Sequence, residues 1–111
     1  MAIFERIHRA LSARNAKAYV NLLDDNYCFI RHRSGVTLNK SEMEALLYSM
    51  MDKETFRWPQ DARCICENDE ILVEHHIADF ADGSTEAVLA VHLIKDGKII
   101  RTETGATSID A

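Results

Sequence analysis

Histidine is the residue type best suited to acid–base chemistry near neutral pH, and two of the five histidines in this chain, His75 and His76, are adjacent. Because neighbouring strand residues point to opposite faces, the two imidazoles cannot share a metal ion. Val73 and Ile77 flank His75 on its own face, so His75 is the candidate for a buried, neutral imidazole that acts as a general base or hydrogen-bond partner. A core histidine bonded only to a backbone carbonyl is the structural alternative.

Asp79 and the cysteines are weaker candidates for chemistry. Asp79 lies four residues from His75 on the same strand, roughly 13 Å away, so it cannot orient that imidazole and no Ser-His-Asp or Cys-His triad is indicated. Cys64 and Cys66 are expected to point to one face of a strand about 7 Å apart, which suits neither a disulfide nor a zinc site. We therefore expect free thiols, no metal and no cofactor.

Two turns determine which residues share a face with His75. Asp96-Gly97 between aliphatic residues predicts a two-residue hairpin that pairs Val91 with Thr102. A three-residue loop at Asp82-Gly83-Ser84 then pairs His75 with Val91. In this register the helix-facing side of the sheet carries the polar and apolar candidates for a pocket: His75, Asp79, Leu89, Val91, Thr102 and Thr104.

The opposite face of the same sheet mixes apolar and charged side chains, and no predicted helix remains to cover it. A large apolar face of this kind is typical of a subunit interface. We therefore expect a homodimer that forms through this outer sheet face. The expected interface residues are Phe80, Val88, Ala90, His92 and Ile94.

The first half of the chain predicts three helices and one strand. Apolar residues recur at helical spacing from Ala2 to Leu11, and Asn15 is a plausible N-cap for a second helix. Tyr27 to Arg33 is rich in aromatic and β-branched residues and predicts a strand. Asn39 and Glu42 form a variant of the capping box that opens the third helix. The expected buried side of that helix is Met43, Leu46, Leu47 and Met50.

Length and charge exclude several classes of function. The chain has 111 residues, 47% of them hydrophobic, and a formal net charge of -5, so we expect one domain. No Lys/Arg cluster stands out, which argues against a nucleic-acid partner. The N-terminal residues lack the pattern of a signal peptide, and no apolar run approaches the ~20 residues of a membrane span. We expect a cytoplasmic protein with no membrane contact.

The order of these elements resembles the nuclear transport factor 2-like superfamily, and its SnoaL-like branch in particular. The residues that carry the resemblance are Leu22–Ile30, Gly35, the helix from Leu38 to Met50, and Asp96–Ile100. The resemblance implies an α+β fold in which three N-terminal helices pack on a strongly curved, mostly antiparallel sheet that encloses a hydrophobic pocket, as a cone or barrel. Residues 1–111 would then form a single SnoaL-like domain.

The resemblance also implies where further site residues lie. It places Cys28, Ile30 and His32 on the pocket side of the first strand, which makes His32 a candidate helper of His75. Tyr19 and Trp58 complete the expected ligand-binding set around the pocket.

The catalytic positions of the family's known enzymes are not kept in this chain. Those of the ketosteroid isomerases fall at Ile7, Ile30 and Leu89, all apolar. SnoaL cyclases and limonene-epoxide hydrolases resemble one another in using an aspartate on the last strand. The corresponding position in this chain is Thr104.

Two functions therefore stay open from the sequence. The first is a protein that binds a small apolar or amphipathic molecule, as an isomerase, cyclase or hydrolase-like enzyme with His75 and His32 as acid–base residues. The second is a non-catalytic dimeric binding or scaffolding module of the same fold. The sequence identifies neither a substrate nor a pathway.

Overall fold

A computed structural model describes residues 2–59, 61–80 and 82–109. The strands of this part form a curved, mixed six-stranded sheet in the order β2-β1-β6-β5-β4-β3, in which only β1 and β6 pair in parallel. The predicted α+β class, three N-terminal helices on a mostly antiparallel sheet, is confirmed. The elements are α1 Ile3–Ser12, α2 Ala16–Val20, β1 Leu23–Arg31, β2 Val36–Asn39, α3 Lys40–Asp52, β3 Arg63–Glu67, β4 Ile71–Asp79, β5 Thr85–Lys95 and β6 Lys98–Ser108.

Both predicted helix caps are present. The Asn15 side chain accepts a hydrogen bond from the backbone N–H of Ala18 at 3.0 Å. At α3, the Asn39 side chain accepts from the Glu42 N–H at 2.9 Å, and the Glu42 carboxylate accepts from the Asn39 N–H at 3.0 Å. Because these bonds satisfy N–H groups that the first helical turn leaves free, they explain why α2 and α3 begin where they do.

The apolar core lies between the helices and one face of the sheet, which we call the inner face. Ile7 of α1 and Leu72 and Ile99 of the sheet are among its most buried side chains. Helix α3 contributes a single stripe at a four-residue spacing, so the predicted Leu46 and Met50 are exposed and Met51 is buried instead. That stripe is Met43, Leu47 and Met51.

The Asp96-Gly97 hairpin forms as predicted, but its register changes within a few residues. Both residues have positive φ, 52° and 77°, and Lys95 pairs with Lys98. A β-bulge then adds one residue on β6, so that Thr102 pairs with His92 and not with Val91. Thr102 therefore lies on the inner face as expected, while its predicted partner lies on the other side.

The β4–β5 connection is longer than predicted. Asp79 pairs with Thr85, so residues 80–84 form the loop, and Ala81, the expected partner of Thr85, lies outside the described residues. His75 pairs with Leu89 and not with Val91. Because this shift is two residues, it leaves the faces of β4 and β5 matched to each other.

The bulge inverts the predicted faces of β4 and β5. The outer face carries Val73, His75, Ile77, Leu89 and Val91. The inner face carries Leu72, Glu74, His76, Val88, Ala90, His92 and Ile94. Four of the five predicted interface residues are therefore buried on the inner face, with exposures between 2% and 7%: Val88, Ala90, His92 and Ile94. The fifth, Phe80, is exposed in the loop.

Strand β1 is inverted in the same way. The Tyr27 side chain is buried and Phe29 packs against the core, so these residues lie on the inner face. Cys28, Ile30 and His32 alternate with them and lie on the outer face, against the expectation from the resemblance. None of the described helices is long and apolar enough to cross a membrane.

Candidate functional site

A row of polar side chains crosses the inner face, and each comes from a different element. The Glu74 carboxylate on β4 lies 2.8 Å from Nε2 of His8 on α1 through Oε1. Its other oxygen, Oε2, lies 2.8 Å from Nε2 of His92 on β5. Nδ1 of His92 is in turn 2.8 Å from the Thr102 hydroxyl on β6. We call this set the His8–Glu74–His92–Thr102 network.

The local sequence explains how these side chains meet. Thr102 and His92 are cross-strand partners. Glu74 pairs with Ala90, which lies two residues before His92 on β5 and therefore on the same face. His8 follows the buried Ile7 on α1, and its ring lies 4.6 Å from that of Phe4, one helical turn earlier.

Glu74 is ionised at neutral pH despite being 3% exposed. Burial alone would raise the pKa of its carboxyl, but the hydrogen bonds from His8 and His92 outweigh that effect and lower the pKa from 4.5 to about 2. His76 also faces this carboxylate, with Nδ1 3.9 Å from Oε1. Burial lowers the pKa of His76, although the charge of Glu74 opposes that shift.

The charge of Glu74 sets the direction of the hydrogen bonds. An ionised carboxylate can only accept, so Nε2 of both His8 and His92 must carry a proton. Nδ1 of His8 has no hydrogen-bond partner among the described residues. A carboxylate behind one nitrogen and a free second nitrogen is the arrangement of a general base.

Two tyrosines lie beside the network. Burial raises the pKa of Tyr19 well above its ordinary value, and the charge of Glu74 adds to the shift. Burial also raises the pKa of Tyr27, an effect that the nearby Thr102 hydroxyl partly offsets. The Tyr27 hydroxyl nevertheless makes no hydrogen bond of acceptable geometry with any described residue. It is therefore a buried donor that a ligand or a water molecule could use.

The structure brings only some of the predicted site residues to this face. Tyr19 lies near Glu74, and Thr102 belongs to the network. Thr104 pairs with Ala90 on the inner face. The predicted helix-facing placement of the rest on β4 and β5 is wrong, because the bulge reverses the parity of those strands. The residues so displaced to the outer face are His75, Asp79, Leu89 and Val91.

His32 and Trp58 also lie away from the network. Nε2 of His32 is 2.7 Å from the Glu103 carboxylate, which Nε of Arg101 also contacts at 2.9 Å, on the outer face. Trp58 lines a surface depression of about 310 Å³ with Asp61 and Asp79. A second depression, of about 680 Å³, lies between the N-terminus of α1, the turn from β3 to β4 and the turn from β5 to β6.

The cysteines take no part in the site. A bulge in β3 pairs Cys64 with Glu74 and Cys66 with Val73, so the two lie toward opposite faces and not on one face as predicted. All three cysteines are free. Within the described residues, no group of three His, Cys, Asp or Glu side chains is arranged to hold a metal ion.

The sequence did not indicate His8, Glu74 or His92 as site residues, and it placed His92 in the expected interface. Both faces of β5 alternate apolar residues, Val88-Ala90-Ile94 on one side and Leu89-Val91-Leu93 on the other, so the pattern cannot choose the inner one. His8 carries no signal beyond its place next to Ile7 on the apolar side of α1.

The comparisons with known proteins concern the fold. No protein-family model and no curated protein matches the chain. A protein of unknown function from Burkholderia xenovorans, described as nuclear transport factor 2-like, superposes with a TM-score of 0.74 at 14% identity and covers 97% of this chain and 82% of its own. This chain has the nuclear transport factor 2-like fold.

Two further structures with this fold differ in what they are described to be. A putative ketosteroid isomerase from Kribbella flavida has a TM-score of 0.72 at 10% identity, covering 97% of this chain and 77% of its own. A hypothetical protein with a ketosteroid isomerase-like fold from Catenulispora acidiphila, in complex with trimethylamine, has a TM-score of 0.66 at 10% identity, covering 93% and 83%. At these identities the likeness establishes the fold alone.

Proposed function

We propose that this protein binds a small apolar or amphipathic molecule on its inner face and catalyses proton transfer there. His8 acts as the general base, and Glu74 orients it and stabilises the imidazolium that forms. The reaction class that fits is removal of a proton from carbon next to a carbonyl group, the first step of an isomerisation or a cyclisation. The SnoaL-like placement of the chain stays a prediction.

The observation that carries this proposal is the unpartnered Nδ1 of His8 in a ring whose Nε2 is held by Glu74 at 2.8 Å. The His8 side chain as a whole is 15% exposed beside α1, while Nδ1 itself is buried. Tyr27 and Tyr19 offer hydroxyl groups on the same side of the sheet. The trimethylamine complex of the Catenulispora acidiphila neighbour supports the capacity of this fold to bind small molecules.

The test is proton exchange in D2O. A panel of ketones is incubated with the protein, and loss of the α-proton signal is followed by NMR. We expect His8→Gln to lower the exchange rate by about 10²- to 10⁴-fold, the usual contribution of a general base. His75→Gln removes the same ring from the outer face and should leave the rate unchanged. The opposite pattern would favour His75. Exchange by the wild-type protein no faster than in buffer alone would refute catalysis of this class.

The alternative is a dimeric module that works through its outer face. Leu89 and Leu93 are 44% and 36% exposed there, and Val73, Ile77 and Val91 surround them. Monomeric proteins seldom leave such contiguous apolar surface in water. This set replaces the predicted interface residues that proved to be buried on the inner face.

Sedimentation tests the dimer. Leu89→Arg places a charge in the centre of the outer face and should convert dimers to monomers. Val36→Arg is the matched control, because Val36 is equally exposed but lies on the edge strand β2. A wild-type protein that sediments as a monomer at tens of micromolar would contradict this alternative.

A further inference from the structure

One row of residues crosses four strands of the inner face. Glu74 pairs with Ala90, Ala90 with Thr104, and Thr104 with Arg31 on β1. Glu74, which contacts the proposed base His8, lies at one end of this row. The guanidinium of Arg31 lies at the other end. Three strand spacings place the two end Cα atoms roughly 14 Å apart along the sheet. Both end side chains are long, and the two between them are small.

Arg31 lies in a cationic cluster built around one buried carboxylate. Its Nη2 lies 3.2 Å from each oxygen of Glu86, and Nε of Arg33 lies 2.9 Å from Oε2 of the same group. Two cations thus share one anion, which leaves a net charge of +1. Nε and Nη1 of Arg31 donate to no acceptor among the described residues, and the side chains of Arg31 and Arg33 are 30% and 43% exposed.

This part of the inner face is separate from the apolar core. The core under the helices includes Leu72, Ile94 and Ile99 but neither Val88 nor Ala90, although both are buried. The residues around Val88 and Ala90 on the inner side are largely polar, with Glu74, His76 and Glu86 among them. A ligand lying over Ala90 and Thr104 would therefore meet charged and hydrogen-bonding groups at both ends.

We propose that the ligand of the inner face carries a carboxylate, which Arg31 binds in competition with Glu86. This rests on the proposed function, since it assigns the class of substrate on which His8 acts. The planar guanidinium can match a carboxylate through two parallel hydrogen bonds. In the structure, Nη2 of Arg31 alone contacts both oxygens of Glu86. The carbon that loses its proton lies a few bonds from the carboxylate, toward Glu74.

Benzoate is a suitable probe, with benzamide as its neutral counterpart. Each is titrated into ¹⁵N-labelled protein while the arginine Nε–Hε signals are recorded. We expect benzoate but not benzamide to shift the Arg31 signal. Arg31→Gln should weaken benzoate binding about tenfold or more, the usual effect of losing a charged hydrogen-bond donor. Arg101→Gln removes the same charge from the outer face and should leave the affinity unchanged.

Glu86→Gln gives an independent result if Arg31→Gln fails to fold. Removing the competing charge should tighten benzoate binding several-fold, whereas unchanged or weaker binding would overturn the proposal. Equal loss of affinity in Arg31→Gln and Arg101→Gln would overturn it too. Binding does not require turnover, so the two proposals fail separately: benzoate binding without ketone exchange contradicts only the proposed catalysis, and exchange without benzoate binding contradicts only the carboxylate assignment.

Discussion

Replacing Glu74 by Gln removes the charge at the centre of the His8–Glu74–His92–Thr102 network while keeping the size of the side chain. The carboxylate accepts from two imidazoles, at 2.8 Å each. A glutamine has one acceptor oxygen, and its amide NH2 faces the second imidazole donor. The variant therefore loses one hydrogen bond and opposes two donors in a buried site.

The size of the effect follows from the pKa of Glu74. A carboxyl whose pKa falls from 4.5 to about 2 on folding is stabilised in its charged form by about 3 kcal/mol at neutral pH. We expect Glu74→Gln to lower the free energy of unfolding by a similar amount at pH 7. For a domain of this size that corresponds to a fall in Tm of roughly 12 °C.

The same variant has a pH signature. Because the folded pKa lies below the unfolded value, the contribution of Glu74 is fully present above pH 4.5 and is lost as the pH falls toward 2. The difference in stability between wild type and Glu74→Gln should therefore shrink over that interval. A purely steric defect would stay constant with pH.

Urea denaturation at pH 7, 4 and 3 measures these differences. Glu44→Gln is the control, because Glu44 is exposed on α3 and the same substitution there should change stability by less than about 0.5 kcal/mol. A loss in Glu74→Gln no larger than in Glu44→Gln would refute the network as a source of stability. So would a loss that does not vary with pH.

Two other substitutions probe the turn and the third imidazole. Gly97→Ala should lower the free energy of unfolding by about 1 kcal/mol in urea denaturation, because Gly97 has a φ of +77° and no atom within 4 Å to clash with a Cβ. The control Gly105→Ala on β6 lacks the positive φ and should lower it less. Equal effects would contradict the turn argument. His76→Gln should flatten the stability profile below pH 6.5, because a lowered pKa makes the contribution of His76 complete above 6.5 and lost as pH falls toward the folded pKa; a profile that matches wild type would contradict this.

Local signals in the sequence predicted the two helix caps and the turn of the last hairpin. The Asn15 and Asn39 caps and the Asp96-Gly97 turn depend on residues close together in the chain, so their chemistry can be read directly. The three helices, the strand between the second and the third of them, and the sheet that follows could be predicted from such signals. So could the resemblance to the nuclear transport factor 2-like fold.

The site could not be predicted because it depends on parity. The bulge at Ile100 has no signature in a run of β-branched and polar residues, yet one extra residue moves every side chain of β5 to the other face relative to β6. Thr102 was placed on the correct face, although its predicted partner on β5 was wrong. His92 was assigned to the outer face by the same count that placed His75 inside.

The central claim is that the Glu74 carboxylate accepts a hydrogen bond from Nε2 of His8 and that Nδ1 is the atom that takes a proton from the ligand. Long-range ¹H–¹⁵N NMR of the imidazole nitrogens at pH 7 measures this directly, with His8→Gln used to assign the His8 signals. This role requires a proton on Nε2 and none on Nδ1, and Glu74→Gln should change that pattern. A His8 ring with its proton on Nδ1, or one unaffected by Glu74→Gln, would contradict the account.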